Sequence, residues 1–228
     1  MITTKRIFAF FTCLSLWIFF SCGGSKKTEN SLTEGIIEYN AEVVDQTHPM
    51  AGLAPGSATL KFKDNRFLVE MSTMGIFNTI FISDPGRKTL TQMVKFMDIK
   101  NACIQTEADL QQENKGYELN LEETKDTKKI AGYKCKKVKA TYVSDPSNSF
   151  DVYYTDELGL DSINNLGPYK KIKGMLMVYR LKKLGLEMCF TANCVKKDEI
   201  KDEIFEVPAF YKIVTRAEME KLFDDIQK

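Results

Sequence analysis

The sequence is poor in the residues that most often carry out enzyme chemistry. Of its 228 residues only one is histidine, His48, and it lies in a segment rich in proline and glycine. Nucleophilic catalysis usually requires a base next to the nucleophile, and that base is most often histidine. The chain also contains neither a G-x-S-x-G nucleophile elbow nor a glycine-rich phosphate loop. These absences predict a protein that is not an enzyme and has no catalytic residues.

Metal ligands and an excess of one charge are scarce as well. No C-x-x-C pair occurs, and the single histidine offers zinc no second nitrogen ligand. The 32 basic and 31 acidic residues nearly cancel, so no electrostatic feature favours a nucleic acid as partner. We therefore predict no metal, no cofactor and no nucleic-acid partner.

Long apolar runs are absent except near the N-terminus. Ile7 to Phe20 are fourteen positions that are almost all apolar, whereas a membrane-spanning helix requires about 20. Lys5 and Arg6 precede this run and small residues follow it, which is typical of a secretory signal peptide. We therefore assign residues 1–21 to a signal peptide.

The predicted signal ends at a cysteine. Phe19-Phe20-Ser21-Cys22 resembles the lipobox of bacterial lipoproteins, in which the cysteine thiol is acylated and becomes the first residue of the mature chain. The resemblance implies that Cys22 is lipidated and anchors the chain to a membrane of the bacterial cell envelope. No Asp follows Cys22, a pattern that implies the outer membrane, and we expect the chain to face the periplasm there. Residues 22–34 are polar and contain glycine, as in a flexible tether.

The remaining cysteines leave the disulfide pattern open. An even number of cysteines in an exported chain permits disulfides, and four cysteines allow three connectivities. Cys189 and Cys194 are neighbours in sequence, but one continuous strand would hold them about 17 Å apart on opposite faces. Unpaired buried thiols are an equally good interpretation of the four residues Cys103, Cys135, Cys189 and Cys194.

From Gly35 onward, apolar and polar residues alternate. Ile37, Tyr39 and Ala41 share one face of a strand, and similar alternation recurs in later segments that are separated by short turns. Such a pattern, without a βαβ rhythm, predicts a mainly β (α+β) fold over residues 35–228. We expect one antiparallel sheet that is strongly curved into a half-barrel and is followed by a C-terminal helix.

The end of the chain carries the clearest helical signal. Thr215 and Glu218 have the spacing of a capping box. Apolar residues then recur at helical spacing at Met219, Leu222, Phe223 and Ile226. This pattern predicts a helix over residues 216–227 whose apolar stripe packs on the sheet.

Four segments occur in an order known from one group of bacterial proteins. They are TKKIAGYKCKK (127–137), VYYTDEL (152–158), GPYKKIKGMLMVY (167–179) and DEIFEVPAFYK (202–212). In this order they resemble uncharacterised outer-membrane and periplasmic lipoproteins with a LolA-like fold, related to the GLPGLI-type proteins. The resemblance implies an antiparallel half-barrel around a helix or an apolar cleft, and it implies no catalytic residue.

Methionine and aromatic residues in the predicted strands indicate where a ligand would bind. A curved sheet turns the large apolar side chains of one face toward a common interior. Methionine suits adaptable apolar surfaces, but ordinary core packing and Cu(I) binding are alternatives. We predict an apolar-ligand cleft lined by Met71, Phe81, Phe96, Met177 and Phe190.

Two functions fit these expectations. The first is a lipid-anchored, non-enzymatic protein that binds an apolar or lipid-like ligand in the concave sheet. The second is a structural or protein-interaction module of the cell envelope without a small-molecule ligand. An open apolar pocket favours the first function, and a filled interior with an exposed apolar patch favours the second.

Overall fold

The computed structural model describes residues 32–183 and 186–226. The predicted signal peptide, Cys22 and most of the predicted tether lie outside these residues. The described chain forms twelve strands and two α-helices, neither of which is long and apolar enough to cross a membrane. In chain order they are β1 (Glu34–Val43), β2 (Ser57–Lys63), β3 (Arg66–Thr73), β4 (Phe77–Asp84), β5 (Thr89–Phe96), β6 (Ile99–Thr106), α1 (Glu107–Asn114), β7 (Leu119–Ile130), β8 (Tyr133–Tyr142), β9 (Ser149–Thr155), β10 (Met175–Lys183), β11 (Leu186–Lys196), β12 (Lys212–Ile213) and α2 (Arg216–Ile226).

All the described strands belong to one open sheet, in the order β12-β6-β5-β4-β3-β2-β1-β11-β10-β9-β8-β7. β1 lies in the middle of the sheet, where Ile37 pairs with Leu60 of β2 and with Val195 of β11. Strands β2 to β6 form a meander on one side of β1, and strands β7 to β11 form a second meander on the other side. The prediction of a mainly β fold with a C-terminal helix is therefore confirmed.

The prediction that the whole sheet is antiparallel is wrong. β12 runs parallel to β6, with Ile213 beside Ala102, so the sheet is mixed. The physical reason is the route of the chain, because β12 is reached from β11 through a segment that crosses a face of the sheet. A strand that arrives by such a crossover can pair in parallel, which a tight hairpin does not allow.

Short turns between strands use residues that tolerate a positive φ. Asp64 and Asn65 connect β2 to β3 with φ values of 49° and 67°. Both central residues of a type I′ hairpin turn have this conformation, and Asp and Asn adopt it more readily than most residues. The Asn65 side chain also accepts a hydrogen bond from the backbone N–H of Ser162 at 2.9 Å.

The main core lies where the inner face of the central strands meets the loop between β9 and β10. Ile37 and Tyr39 of β1 are almost completely buried against Leu158 and Ile163 of this loop. The Tyr39 hydroxyl donates a hydrogen bond to the Leu176 carbonyl at 2.8 Å, so this buried polar group is satisfied. The strand face predicted from the alternation of Ile37, Tyr39 and Ala41 is confirmed.

A segment that we call the outer strap, residues 198–211, covers the opposite face of β3 to β6. Ile200 and Phe205 of the strap pack with Leu68, Ile82 and Met93, which are buried. These side chains point away from the main core, so β3, β4 and β5 carry apolar residues on both faces. Burying a large apolar side chain contributes about 1.5–3 kcal/mol, and the strap supplies that burial on the outer side.

Ion pairs hold the outer strap at two points. Asp202 accepts hydrogen bonds from Arg66 and, at 3.2 Å, from Lys63, and Glu206 pairs with Arg87 at 2.8 Å. Hydrogen bonds from Arg66 and Lys63 lower the pKa of the Asp202 carboxyl, and those from Arg87 lower the pKa of Glu206. Since both carboxyl groups are mostly exposed to solvent, each pair contributes little by itself.

We predict that Gly174→Ala destabilises the fold. Gly174 has a φ of 138°, and a Cβ there would lie 2.4 Å from the Thr155 carbonyl oxygen. Strain of this kind costs roughly 1–3 kcal/mol, so urea unfolding should occur at a lower midpoint than in the wild type. Gly52→Ala is the control, because no atom lies within 4 Å of its Cβ position. Equal unfolding midpoints for the two variants would contradict the prediction.

We also predict that the ion pairs of the strap stabilise the protein only above acidic pH. The pKa of Asp202 is below its ordinary value of 3.8 in the folded protein. Its contribution is therefore fully present above the unfolded-state pKa and is lost as the pH falls through the folded-state pKa. Urea unfolding should show a stability advantage of the wild type over Asp202→Asn at pH 6 that shrinks below about pH 4. An advantage that stays constant down to pH 2.5 would refute this account.

Candidate functional site

A polar cavity of about 570 Å³ lies between the two helices and the inner face of β5 and β6. Its size is within the range of about 300–1,000 Å³ that is typical of ligand sites. Amide, carboxyl, guanidinium and phenol groups surround it, from Gln92, Gln105, Glu113, Tyr117, Arg216 and Glu220. We call this space the polar cavity.

The sheet positions the floor of the polar cavity. Gln92 of β5 pairs with Cys103 of β6, and in the neighbouring row Leu90 pairs with Gln105. Gln92 and Gln105 are only 5% and 3% exposed, so two amide groups lie in a mostly apolar face. Gln105 donates a hydrogen bond from Nε2 to Oε2 of Glu113 on α1 at 2.8 Å, which fixes both side chains toward the cavity.

A capping box sets the start of α1, which forms one wall of the polar cavity. The Thr106 hydroxyl accepts a hydrogen bond from the Asp109 N–H, and Asp109 Oδ2 accepts one from the Thr106 N–H at 2.8 Å. Hydrogen bonds from Thr106 lower the pKa of the Asp109 carboxyl. The reciprocal bonds satisfy N–H groups that would otherwise have no partner at the helix start, and Leu110 anchors the helix by burial.

Helix α2 forms the facing wall, and the sequence predicted it correctly. Thr215 and Glu218 form the expected capping box, with the Thr215 N–H bonded to Glu218 Oε2 at 2.7 Å. Met219 and Phe223 are buried on the inner face of the sheet, and Phe223 contacts Phe77 edge to face at 5.9 Å between ring centroids. The apolar stripe of α2 therefore packs on the sheet and leaves Arg216 and Glu220 at the cavity.

Charged groups from both helices face each other across the polar cavity. Arg216 donates a hydrogen bond from Nε to Glu220 Oε1 at 2.7 Å. This bond raises the pKa of the Arg216 guanidinium, and the negative charges of Glu113, Glu220 and Asp109 add to the effect. The guanidinium thus stays charged next to carboxylates of α1 and α2, and together these groups offer both donors and acceptors to a ligand.

The described residues contain no group of three or more histidine, cysteine or acidic side chains that could hold a metal ion. His48 accepts a hydrogen bond at Nδ1 from the Met50 N–H at 3.2 Å, in the loop between β1 and β2.

Two smaller cavities with mostly apolar walls adjoin the polar cavity. One has a volume of about 160 Å³ and shares Glu113 with the polar cavity, and the other has about 110 Å³ and shares Gln92 and Phe223. We call the first of them the aromatic cavity, because Tyr39, Phe67, Phe81, Tyr169, Tyr179 and Phe190 line it.

The residues predicted to line an apolar-ligand cleft are only partly brought together. Met71, Phe81 and Phe190 line both smaller cavities. Phe96 lies at the end of β5 and packs against Phe77 at 6.1 Å between ring centroids. Met177 is fully buried in the main core. It shares this core with Phe190, and Met71 packs against the same cluster.

Cys103, Cys135, Cys189 and Cys194 form no disulfide with one another in the described part of the chain. Cys103 and Cys135 are buried, and Cys189 and Cys194 are half-buried on β11. Burial raises the pKa of the Cys135 thiol to about 11, which makes it a poor nucleophile. Of the two interpretations left open by the sequence, the structure has the one without disulfides among these four residues.

Sequence reasoning missed the polar residues of the cavity, although some signals were present. Gln92 occupies an inward position between Leu90 and Val94, where an amide among apolar residues marks a buried polar group. The capping box at Thr215 also predicted that α2 begins at Arg216. In a helix that begins there, Arg216 and Glu220 are about one turn apart and lie on the same side. The contact between Gln105 and Glu113 needed the position of α1 on the sheet, which no local pattern contains.

Comparisons with known proteins find similarity to N-glycanase proteins. Residues 77–174 match the family model of the N-glycanase peptide, N-terminal domain. A solved structure of PNGF-II in the C2 space group has 16% sequence identity and a TM-score of 0.52, and covers 85% of this chain and 33% of that one. A structure of PNGF-II in the P21 space group has 14% identity, a TM-score of 0.52 and coverages of 83% and 33%. No curated protein matches the sequence.

At these identities the structural likeness establishes a shared fold. This chain spans about a third of the length of the PNGF-II chains that it resembles (33% in both structures). The family match covers β4 to β9 together with α1, so it includes the strands and the helix that form the floor and one wall of the polar cavity.

These matches correct two predictions. The resemblance to LolA-like, GLPGLI-type lipoproteins is wrong, because the family match and the structural likeness are both to N-glycanase proteins. The function predicted from that resemblance, the binding of an apolar or lipid-like ligand or service as an envelope interaction module, is wrong for the same reason. The four motifs that suggested it fall in strands, loops and the outer strap, and the third of them supplies Tyr169 and Tyr179 to the wall of the aromatic cavity.

We predict that Phe223→Ala strongly destabilises the protein, because it empties the contact between α2 and the sheet. Phe223 is 6% exposed, and truncating a buried phenylalanine costs about 3–5 kcal/mol. Lys221→Ala on the exposed side of the same helix is the control and should change the free energy of unfolding by less than about 0.5 kcal/mol. Thermal and urea unfolding measure both. Similar stabilities for the two variants would mean that α2 does not support the fold.

Proposed function

We propose that this chain is a carbohydrate-binding domain that holds an N-linked glycan or its glycopeptide in the polar cavity. The observation that carries the proposal is the chemistry of this cavity, in which buried amides, carboxylates and a guanidinium face one space between α1 and α2. Sugar hydroxyls both donate and accept hydrogen bonds, and these side chains supply the complementary groups.

The comparisons support the same class of ligand. The family model that matches residues 77–174 is named for an N-glycanase peptide, and its match includes Gln92, Gln105 and Glu113. We propose that the likeness extends to the type of ligand, a protein-linked glycan.

We propose that the chain binds without catalysing a reaction. The sequence has one histidine, and in the fold it lies in the loop after β1, whereas the polar cavity is formed by β5, β6 and the helices. Arg216 is engaged with Glu220 at 2.7 Å, an arrangement suited to holding a neutral ligand. A binding domain of this kind would act beside a catalytic domain or partner that cleaves the glycan.

A strongly curved sheet is part of the proposal. β6 is second and β7 is twelfth in the strand order, which is ten strand spacings, or about 48 Å in a flat sheet. The connection between them is α1, about 12 Å long, and residues 115–118, which extend over about 14 Å at most. The two ends of the sheet must therefore bend toward each other, and a half-barrel of this kind would enclose the ligand from several strands.

The location and partners inferred from the N-terminal residues stay proposals. Residues 1–21 would direct export, Cys22 would attach the chain to the outer membrane on its periplasmic side, and residues 35–228 would form one domain. An exported position suits a glycan-binding domain, because it would meet glycoproteins that arrive from outside the cell.

Titration calorimetry with the full chain tests the proposal. The probes are an N-glycopeptide and the same peptide without its glycan, and only the glycopeptide should bind. Arg216→Met removes the guanidinium from the polar cavity and should weaken binding by roughly tenfold or more, since hydrogen bonds to charged groups contribute about 1.5–3 kcal/mol. Lys221→Met removes an exposed cation from the same helix and should bind as the wild type does.

Two results would overturn the proposal. Equal affinity for the glycosylated and unglycosylated peptides would exclude glycan recognition. Release of the glycan during incubation with the purified chain, followed by mass spectrometry of the peptide, would contradict the absence of catalysis.

A further inference from the structure

The aromatic cavity contains one buried hydroxyl that the protein leaves without a partner. Ser83 of β4 is 1% exposed and lines this cavity. Among the described residues, no hydrogen-bond partner lies within reach of its Oγ. A buried polar group without a hydrogen bond is unfavourable, so this hydroxyl favours a ligand that can bond to it.

The sheet register connects Ser83 to the polar cavity. Ser83 pairs with Leu90, and Leu90 pairs with Gln105, so the three residues form one row across β4, β5 and β6. With strands about 4.8 Å apart, the Cα atoms at the two ends of this row are about 10 Å apart. Glu113, which accepts the hydrogen bond from Gln105, lines both cavities. A ligand held at Gln105 and Glu113 can therefore extend a substituent toward Ser83.

The surroundings of Ser83 select the chemistry of that substituent. Phe81, Leu90 and Leu110 line the same cavity and offer apolar contact, and Glu113 and Lys182, which carry opposite charges, leave its lining without a net charge. A cavity of about 160 Å³ is close to the engineered apolar cavity of about 150 Å³ that accommodates benzene, so it admits a small neutral group rather than a whole sugar ring. An acetamido group fits, because its amide can bond to Ser83 and its methyl group can pack against the apolar walls.

We infer that the site recognises a 2-acetamido sugar, with the sugar ring in the polar cavity and the N-acetyl group in the aromatic cavity at Ser83. This inference rests on the proposed function, since it names the sugar class within the glycan. Ser83 Oγ can act as donor to the acetamido carbonyl or as acceptor from its N–H, because the hydroxyl rotates freely.

Calorimetric titration of the full chain with three disaccharides tests the inference. The probes are N,N′-diacetylchitobiose, its de-N-acetylated form and cellobiose, which differ in the group at carbon 2. Diacetylchitobiose should bind at least tenfold more tightly than the other two. In Ser83→Ala the ratio of the affinity for diacetylchitobiose to that for cellobiose should fall roughly tenfold. The weaker affinity for cellobiose should stay unchanged. Ser72→Ala, an exposed serine on β3, is the matched control and should retain the full preference.

Thermal unfolding without ligand separates recognition from a structural role. Ser83→Ala removes a hydroxyl that contributes no hydrogen bond, so its melting temperature should equal or exceed that of the wild type. A clear loss of stability would assign Ser83 a structural role and would overturn the inference.

The remaining outcomes distinguish this inference from the proposed function. If the three disaccharides bind equally well while the glycopeptide still binds, or if Ser83→Ala weakens all three equally, the acetamido site is refuted and glycan binding stands. If neither the glycopeptide nor any disaccharide binds, both the inference and the proposed function fail.

Discussion

The pairing of β1 with two partners is the constraint on which the rest of the structure depends. Its residues pair with β2 on one edge and with β11 on the other, and this joins two meanders into one continuous sheet. Ile37 and Tyr39 are nearly inaccessible to solvent at this junction. Because strands on both sides are aligned through β1, the rows of side chains that form the inner face continue from one meander to the other.

A sheet with apolar residues on both faces needs other segments to pack on each face, and in this protein the two faces are packed differently. The outer strap packs closely over β3 to β6 through Ile200 and Phe205. On the inner side, α1, α2 and the loop between β9 and β10 each cover a part of the surface. Spaces remain between these partial covers, and both helices line the largest of the three spaces described above, the polar cavity.

Local patterns in the sequence predicted the elements better than their assembly. Alternation identified the buried face of β1, because only one face of that strand is deeply buried, and the capping box at Thr215 located α2. In β4, Phe81 and Ile82 face opposite sides and both pack against other residues, so alternation alone could not tell inner from outer. Gln105 and Arg216 line the same cavity although more than a hundred residues separate them. Their meeting depends on the parallel pairing of β12 with β6, which no local pattern indicates.

The pairing of β1 with β11 also bears on how the chain reaches its native state. Ile37 pairs with Val195, so nearly the whole domain lies between two strands that must become neighbours. Contacts of such long range slow folding, because the entropy of closing the loop is lost before the pairing is gained. As the chain emerges from the ribosome, β1 can pair with β2 at once, but its second edge stays open until β11 has been made. An unpaired strand edge beside an apolar face is prone to bind other chains, and this edge of β1 is covered only once β11 has been made.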